Sequence, residues 1–381
     1  MSNPSVKLLL VSNAFYPEIS PRSYRATELA REFSRQGHEV VVITKYRNHD
    51  YSDFLRETSV VLKMWDGGKL PEVGIARRNP WTFLSRALKR ALLVLFEYPA
   101  IEDMFHVRKM LRRENGYDMM ISFAVPYPVH WGVAWAMNRR RKIATKWVAD
   151  CGDPYMGDVL DSFRKPFYFG YLEKWFCKKA DFITIPVQSA IDAYYPEFHG
   201  KMKIIPQGFN FDISTSEQVK PDREGPEFAY AGRFLQGIRD PEPLLAFLSK
   251  IEMPFRFYVY TDQPEYLKKY IDSLKEKLII SDYIPREQLL KELAQMDFLI
   301  NFDNNTPLNV PSKLIDYSIT GRPVLNIKRD FSAESVKNFL NGNYSDRMQL
   351  PDPMCYHIRI VSGQFLELLN TDNYADQVIY Q

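Results

Sequence analysis

Short apolar runs that are typical of β-strands alternate with helical patterns along most of the chain, in two successive series. The first series starts with VKLLLVSN (6–13) and the second with FAYAGRF (228–234), and a polar, proline-containing stretch separates them. The second series includes helical patterns at 265–277 and 286–296. Strands that alternate with helices form parallel sheets covered on both faces. The sequence therefore predicts an α/β chain with two doubly wound, parallel-sheet domains that face each other across a cleft.

Length and composition agree with two soluble domains. A chain of 381 residues is long for one hydrophobic core, and its 45% hydrophobic and 25% charged residues are ordinary for a globular protein. Its three cysteines show neither a metal-binding spacing nor a disulfide framework, which favours a reducing compartment. The N-terminus lacks a signal-peptide pattern, and no apolar run reaches the roughly 18 residues of a membrane span. We expect a cytoplasmic protein.

Ligands of open parallel sheets bind beyond the carboxyl ends of the strands, so the strand-to-helix loops indicate the chemistry. The dinucleotide fingerprint of three spaced glycines is absent after both opening strands, which argues against a nicotinamide enzyme. The sequence has no Asp-x-Asp pair of the kind that holds a metal on a nucleotide diphosphate. It also has no lysine-ended glycine-rich loop for a nucleoside triphosphate. No cofactor is expected.

Two arginines follow the first strand of the second series. Arg233 lies at the end of the strand in YAGRF (230–234) and Arg239 comes six positions later, so both guanidiniums can bind phosphate oxygens. A helix predicted over residues 312–320 adds a second anion-binding feature, because free N–H groups and the positive end of the dipole lie at its start. The alternative is that the arginines form a solvated surface pair.

The predicted helix carries Ser312 and Lys313 at its start and Asp316 one turn after Ser312, about 5.4 Å along the axis. A lysine and free N–H groups can bind phosphate, whereas a carboxylate can accept hydrogen bonds from the vicinal hydroxyls of a ribose. The alternative for Asp316 is an acid that only complements the helix dipole.

Four segments together resemble the retaining, metal-independent glycosyltransferases of family 4, of the bacterial glycan-biosynthesis type, which have the GT-B fold. They stand in the family's order and span most of the chain: FYPEISPRSYRATELAREFSRQGHEVVVIT, IPQGFNFD (205–212), YAGRF and VPSKLIDYSITGRPVL. The resemblance implies two Rossmann-like domains, a nucleotide-sugar donor bound by the second, and glycosyl transfer with retention at the anomeric carbon.

The resemblance also implies donor contacts in the second domain. It places Arg233 and Arg239 on the donor diphosphate and Asp316 on the donor ribose. The family usually has a further acid before the last one, for the donor sugar, and Leu308 stands at its position. The polar residues near it that could replace this acid are Asn305, Thr306 and Asn309.

The loop after the first strand differs from the family's glycine-rich turn. This chain reads ISPRS (19–23) there, so the resemblance implies side-chain contacts from Ser20 and Arg22 to the acceptor or to a phosphate. The acceptor is expected to bind between residues 14–25, 122–130 and 150–155.

The catalytic residues are expected in the first domain, which also binds the acceptor. WVADCGDPY (147–155) resembles the strand that often carries the family's catalytic histidine. Gly152 stands at that position, which leaves Asp150 and Asp153 as candidates. Asp153 is favoured, because it follows the strand end and Asp-Pro breaks the chain into an exposed turn. His130, after the preceding strand, is a further candidate, although a single histidine is more often structural.

The segment ARRNPWTFLSRALKRALLVLFEYP (76–99) is the least family-like part of the chain. One helical face carries Trp81, Leu84, Leu88, Leu92 and Leu95, and another carries Arg86, Lys89 and Arg90. A helix that lies on an anionic lipid surface would suit a lipid-linked acceptor. The alternative is an inserted helical hairpin packed on its own domain, and it is slightly favoured because the apolar face is broad enough to need burial.

We therefore expect an acceptor-binding domain over residues 1–207 and a nucleotide-sugar-binding domain over residues 208–359, with a helix at about 360–381 that packs back on the first. The expected activity is metal-independent hexosyl transfer from a UDP- or GDP-sugar to a glycan or lipid-linked acceptor. It would serve surface polysaccharide biosynthesis at the inner face of the membrane, with peripheral contact through 76–99 and without a nucleic-acid partner. Two alternatives stay open: a nucleotide-sugar epimerase of the same fold, and a catalytically weak scaffold in a glycan assembly complex.

Overall fold

The computed structural model describes residues 4–70, 82–137, 142–158, 164–211, 224–235, 237–303 and 312–371, with the backbone alone for residues 82–85 and 312. The chain forms two compact units. The first unit reaches to Asn210 and includes the segment from Tyr356 onwards, and the second unit is Phe211–Cys355.

The first unit is built on a parallel sheet with the strand order β3-β2-β1-β4-β5-β6-β7. Its strands are β1 (Lys7–Ser12), β2 (Glu39–Lys45), β3 (Val61–Trp65), β4 (Tyr117–Ala124), β5 (Ala144–Cys151), β6 (Phe182–Ile185) and β7 (Met202–Ile204). Leu8 and Leu10 of β1 join one buried apolar cluster, and Leu9 and Val11 join another. Both faces of β1 are therefore covered, as expected for a central parallel strand. The order of the strands reverses between β1 and β4, which is the switch point where open sheets bind ligands.

Helices connect the strands of the first unit. They are α1 (Pro21–Arg35), α2 (Ser52–Glu57), α3 (Thr82–Phe96), α4 (Glu102–Leu111), α5 (Pro128–Ala136) and α6 (Tyr168–Lys179). Helix α1 begins at Pro21, because proline suits the first turn and the Ser20 hydroxyl accepts a hydrogen bond of 3.1 Å from the Ser23 backbone N–H.

The second unit repeats the design with the parallel order β10-β9-β8-β11-β12. Its strands are β8 (Glu227–Ala231), β9 (Arg256–Tyr260), β10 (Leu278–Ser281), β11 (Phe298–Phe302) and β12 (Val324–Ile327). Its helices are α7 (Glu242–Leu248), α8 (Ile271–Leu274), α9 (Arg286–Ala294), α10 (Ser312–Thr320) and α11 (Ala333–Leu340). Phe228 and Tyr230 of β8 pack in one cluster, and Ala229 and Ala231 in another. The switch point of this sheet lies between β8 and β11.

The last described helix, α12 (Ile358–Glu367), belongs to the first unit. Val361 and Phe365 are fully buried and share an apolar cluster with Leu29 and Phe33 of α1. The chain thus returns to the first unit after completing the second.

Most predicted elements are present, with one clear exception. The pattern at 265–277 does not form a single helix but short 3-10 turns around the four-residue α8, and Lys275 has a φ of 47°. Leu267, Tyr270 and Leu274 are nevertheless buried. Their spacing, which predicts a helix, is therefore satisfied by a sequence of tight turns.

Candidate functional site

The second unit brings two cationic side chains together at its switch point. Arg239 lies in the loop that follows β8, and Lys313 lies in the first turn of α10, which follows β11. The Nζ atom of Lys313 is 4.6 Å from the centroid of the Tyr230 ring of β8. Two backbone hydrogen bonds between Leu235 and Arg239, of 2.8 and 3.2 Å, close the loop. Both cations are therefore held at the end of a buried strand.

Neither of these cations has a counter-ion within the described part of the chain. Nε of Arg239 and Nζ of Lys313 are buried, and neither atom has a hydrogen-bond partner among the described residues. Burial, assisted by the charge of Arg239, lowers the pKa of Lys313 to about 7. A buried charge without a partner is unfavourable. Such an arrangement is suited to binding an anion.

Arg233 occupies a different environment from Arg239. Its Nε lies 3.3 Å from Oδ1 of Asp262, which follows β9, and the two side chains are 62% and 41% exposed. Its backbone carbonyl accepts a hydrogen bond of 2.8 Å from the Tyr230 hydroxyl, so its position in the loop is fixed. Because such an exposed ion pair contributes little to stability, Arg233 can exchange Asp262 for another anion.

Asp316 lies on α10 and is paired with Arg286, the first residue of α9. Nε and Nη2 of Arg286 lie 2.8 and 2.6 Å from Oδ1 of Asp316. Burial raises the pKa of Asp316, and the charge and hydrogen bond of Arg286 only partly oppose that effect. Two other predicted donor contacts, Asn309 and the side chain of Ser312, lie outside the described residues.

The sequence interpretation missed Arg286. This arginine follows β10 and Pro285, so it occupies a strand-to-helix loop of the kind in which Arg233 and Arg239 were found. Inspection of that loop could have identified a cation near the ligand side of the sheet. Its contact with Asp316, 30 residues later, is a property of the packing of α9 on α10.

In the first unit, Arg22 lies directly over Gly152. A Cβ atom built on Gly152 would be 1.4 Å from Nη2 of Arg22, so the guanidinium fills the space of a side chain at this position. The same Nη2 lies 3.5 Å from Oδ2 of Asp153, whose side chain is 65% exposed. The hydroxyls of Tyr127 and Tyr194 both donate to the Asp153 backbone carbonyl. The structure thus presents an open carboxylate on a fixed loop, next to a partly buried arginine.

Asp150 lies in a buried ion pair. Nε and Nη2 of Arg25 donate to its two carboxylate oxygens at 2.7 Å, and the Thr184 hydroxyl donates at 2.6 Å. Arg25 also donates to the backbone carbonyls of Ile205 and Pro206. Burial alone would raise the pKa of Asp150, but Arg25 outweighs burial and holds that pKa below its usual value. We assign this 1% exposed carboxylate to the support of α1 and β5, because it offers no surface to a substrate.

His130 is also fully buried, near the start of α5. Its Nδ1 lies 2.8 Å from the Ser122 hydroxyl oxygen and its Nε2 lies 3.5 Å from Sγ of Cys151. Its ring packs against the rings of Tyr127 and Phe176. Burial lowers the pKa of His130 to about 3, so the ring is neutral at physiological pH. This is the environment of a core histidine beneath the loop that carries Asp153.

Helix α3 leaves apolar side chains unburied. Its side chains from Arg86 to Phe96 are either exposed or half-buried, and the half-buried ones include Leu92, Leu93 and Val94. The Tyr168 hydroxyl donates to the Leu95 carbonyl and so connects α3 to the start of α6. We define the α3/α6 surface by its exposed large apolar side chains: Leu88, Leu95, Phe96, Phe167, Tyr168 and Tyr171.

Two further findings concern metals and membranes. Across the described ranges, no three histidine, cysteine, aspartate or glutamate side chains converge in a way that could hold a metal ion. None of the helices in those ranges is both long enough and apolar enough to cross a membrane.

Residues 23–198 match the family model of the glycosyl transferase 4-like domain. This part of the first unit is therefore similar to a glycosyl transferase 4-like domain. This match confirms the resemblance that the sequence motifs indicate, over the part of the chain that contains Arg25, His130 and Asp153. No curated protein sequence matches the chain.

Solved structures resemble the glycosyl transferase 4-like domain together with the second unit. A glycosyltransferase from Rickettsia africae has a TM-score of 0.62 at 11% identity, over 96% of this chain and 98% of that one. The lipopolysaccharide outer core galactosyltransferase WaaB has a TM-score of 0.59 at 10% identity, over 96% and 99%. Anabaena HepE, solved with UDP and glucose, has a TM-score of 0.54 at 10% identity, over 96% and 99%. The predicted α/β class with two parallel sheets is confirmed, and the fold is GT-B.

Proposed function

We propose that this protein is a glycosyltransferase that moves a sugar from a nucleotide-sugar donor to an acceptor. The observation that carries the proposal is the pair of cationic side chains at the β8/β11 switch point, Arg239 and Lys313. Nε of Arg239 and Nζ of Lys313 are buried there without a counter-ion among the described residues. A diphosphate supplies the missing negative charge. The neighbour solved with UDP and glucose makes uridine nucleotides the first donors to test.

The chemistry of transfer explains why cations are needed there. Cleavage of the bond between the anomeric carbon and the terminal phosphate oxygen leaves negative charge on the departing nucleoside diphosphate. Arg239 and Lys313 can neutralise that charge by charge-assisted hydrogen bonds in a site already organised for it. We include metal independence in the proposal for this reason, and retention of configuration because the family resemblance implies it.

The remaining donor contacts follow from the position of α10. We place the ribose near Asp316, one turn beyond Lys313, and a second phosphate contact on Arg233, whose present partner Asp262 is exposed. Asn309 and Ser312 complete the donor contacts in this proposal.

We place the acceptor at the loops that follow β1 and β5 in the first unit. Asp153 is the proposed catalytic carboxylate, because it is exposed while its loop is fixed by two tyrosine hydroxyls. Arg22 lies beside it and is the proposed acceptor contact, with Ser20 at the start of the same helix. We give Asp150 and His130 the role of supporting this loop from the core.

A lipid-linked acceptor agrees with the α3/α6 surface. Phe167 and Tyr171 are 77% and 71% exposed, and Arg86 and Lys89 lie on the exposed part of α3. Apolar side chains bordered by basic ones suit the interface of an anionic bilayer. We therefore propose peripheral contact with the inner face of the membrane through this surface, in the synthesis of a surface polysaccharide.

A thermal-shift series with UDP-, GDP- and ADP-sugars tests the proposal. A donor at a hundred times its Kd should add about 2.7 kcal/mol to the free energy of unfolding, because it binds the folded chain alone. The stabilising donor is then incubated with and without a membrane extract as acceptor. A transferase requires the extract, an epimerase converts the sugar without it, and a scaffold does neither. If no nucleotide sugar and no nucleoside diphosphate stabilises the protein, the proposal is wrong.

A further inference from the structure

Arg286 makes a short, two-point contact with a carboxylate of the proposed donor site. Its Nε and Nη2 lie 2.8 and 2.6 Å from Oδ1 of Asp316. Both contacts fall on the same oxygen, Oδ1. The two side chains are 33% and 20% exposed, which places the pair at the edge of the unit and within reach of a ligand.

The surroundings of Asp316 disfavour its charge. Burial is the largest influence on its pKa and raises it, and Arg286 is the cation that opposes this effect. Among the described residues, the titratable groups that face Asp316 are Arg286 from α9 and the Tyr317 hydroxyl from α10 itself. That hydroxyl accepts a hydrogen bond of 3.0 Å from the Ala231 backbone N–H. Without Arg286, the carboxyl group would therefore hold a proton at a higher pH than it does in the intact pair.

The protonation state and the orientation of Asp316 determine how well it can bind a ribose. An ionised carboxylate only accepts hydrogen bonds, and each ribose hydroxyl has a proton to donate. A protonated carboxyl group has lost part of this accepting capacity, and a carboxylate free to rotate must be ordered when the ligand binds. A guanidinium bound to Oδ1 keeps the carboxylate ionised and fixes its orientation, so that Oδ2 can bind the ligand.

We propose that Arg286 is a positioning residue for nucleotide binding, which keeps Asp316 ionised and presents its Oδ2 to the 2′- and 3′-hydroxyls of the ribose. This inference rests on the proposed donor site in the second unit. Replacing a positioning residue changes how the binding affinity depends on the ligand's hydroxyl groups and on pH. Replacing an arginine that merely joins α9 to α10 would change neither dependence.

The experiment compares UDP with 2′,3′-dideoxy-UDP by calorimetry, on the wild-type chain and on Arg286→Met, which keeps an unbranched apolar stem and removes the charge. GDP or ADP replaces UDP if it binds the wild type more tightly. We expect Arg286→Met to weaken UDP binding about tenfold at pH 6 and less at pH 8.5, because a higher pH favours the ionised form of Asp316. Dideoxy-UDP should bind the two proteins alike. At each pH, the dissociation constant of UDP for the variant is divided by that for the wild type. This ratio cancels the effect of pH on the ionisation of UDP and of Lys313, because both proteins share that effect.

Four further variants complete the test. Asp316→Asn should show a loss of UDP affinity that does not vary with pH, and adding Arg286→Met to it should cause no further loss. Arg286→Lys should restore part of the affinity. Arg286→Gln replaces the methionine variant if the latter has a lowered melting temperature.

Two outcomes overturn the proposal, and they can be told apart. If UDP and dideoxy-UDP lose affinity equally in Arg286→Met, or if the loss is the same at pH 6 and pH 8.5, Arg286 has only a structural role and the donor site still stands. If the wild type binds none of UDP, GDP and ADP, the donor site itself is absent and the proposed function fails with it.

Discussion

Lys313 should take up a proton when a nucleoside diphosphate binds to the second unit. Its Nζ is buried without a hydrogen-bond partner among the described residues, and burial together with the charge of Arg239 lowers its pKa to about 7. At pH 8, one unit higher, about nine tenths of the empty molecules should hold Lys313 neutral. A bound diphosphate favours the ammonium form, so it should raise this pKa well above 8.

The proton makes the affinity for UDP depend on pH in a defined direction. For each unit above pH 7, the association constant should fall by up to about tenfold, or about 1.4 kcal/mol, because a neutral lysine must first be protonated. Below pH 7 this contribution levels off, since Lys313 is already charged. Titration calorimetry at pH 8 in Tris and in HEPES measures the uptake, because the two buffers release protons with different enthalpies. We expect about 0.9 proton per bound UDP, whose own phosphates are already ionised at this pH.

Two variants identify the group that takes up the proton. Lys313→Arg carries its charge at every accessible pH and should bind UDP without uptake. Lys313→Met should bind weakly, also without uptake, but should melt at a higher temperature than the empty wild type. The pKa of Lys313 is lower in the folded chain than in the unfolded chain, so Lys313 lowers the free energy of unfolding of the wild type most below pH 7. This loss of stability shrinks as the pH rises towards 10.5. The advantage of Lys313→Met should shrink over the same range. Wild-type binding of UDP without proton uptake would refute this reasoning, because Lys313 would then be charged in the empty site.

Three other predictions concern the metal, the acceptor loop and the membrane. Transfer should survive excess EDTA, because Arg239 and Lys313 neutralise the leaving group; an activity that EDTA abolishes and magnesium restores would contradict this. Gly152→Ala should reduce transfer as strongly as Arg22→Ala does, and the double variant should be no worse, since a Cβ at 152 would be 1.4 Å from the guanidinium. Gly67→Ala, whose Cβ would meet nothing within 4 Å, is the matched control, and additive losses would disprove the link. Replacing Phe167 and Tyr171 by serine should lower the fraction of protein that cosediments with phosphatidylglycerol vesicles and leave UDP binding unchanged. If the wild type and the variant sediment equally, the α3/α6 surface does not bind the membrane.

The fold could be predicted from the sequence because its main signals are local. Strand β1 is an apolar run that needs cover on both faces, and this property is visible in the sequence alone. Helix α10 has the predicted bounds, Ser312–Thr320, since Gly321 follows it with a φ of 65°. The segment 265–277 was predicted incorrectly, because its buried residues have the same spacing in a helix and in a series of turns.

The site could be predicted only as far as its loops and charges. Arg239 and Lys313 were expected near one ligand, and they meet at the switch point. Asp150 resembles Asp153 in sequence, since both are aspartates at the end of β5. Asp150 is closed to solvent because Arg25, which is 125 residues away in the chain, binds it in the core. Such a pairing of distant side chains has no local signal.

The proposed diphosphate site is tested most directly by the affinity of the wild type for a nucleoside diphosphate relative to its nucleoside, repeated with Arg239→Met. We expect UDP to bind at least about tenfold more tightly than uridine, because charged hydrogen bonds form to the diphosphate. We also expect Arg239→Met to remove most of this difference while the affinity for uridine is kept. A wild type that binds UDP no more tightly than uridine, or a variant that loses affinity equally for both, would contradict a diphosphate site at Arg239 and Lys313.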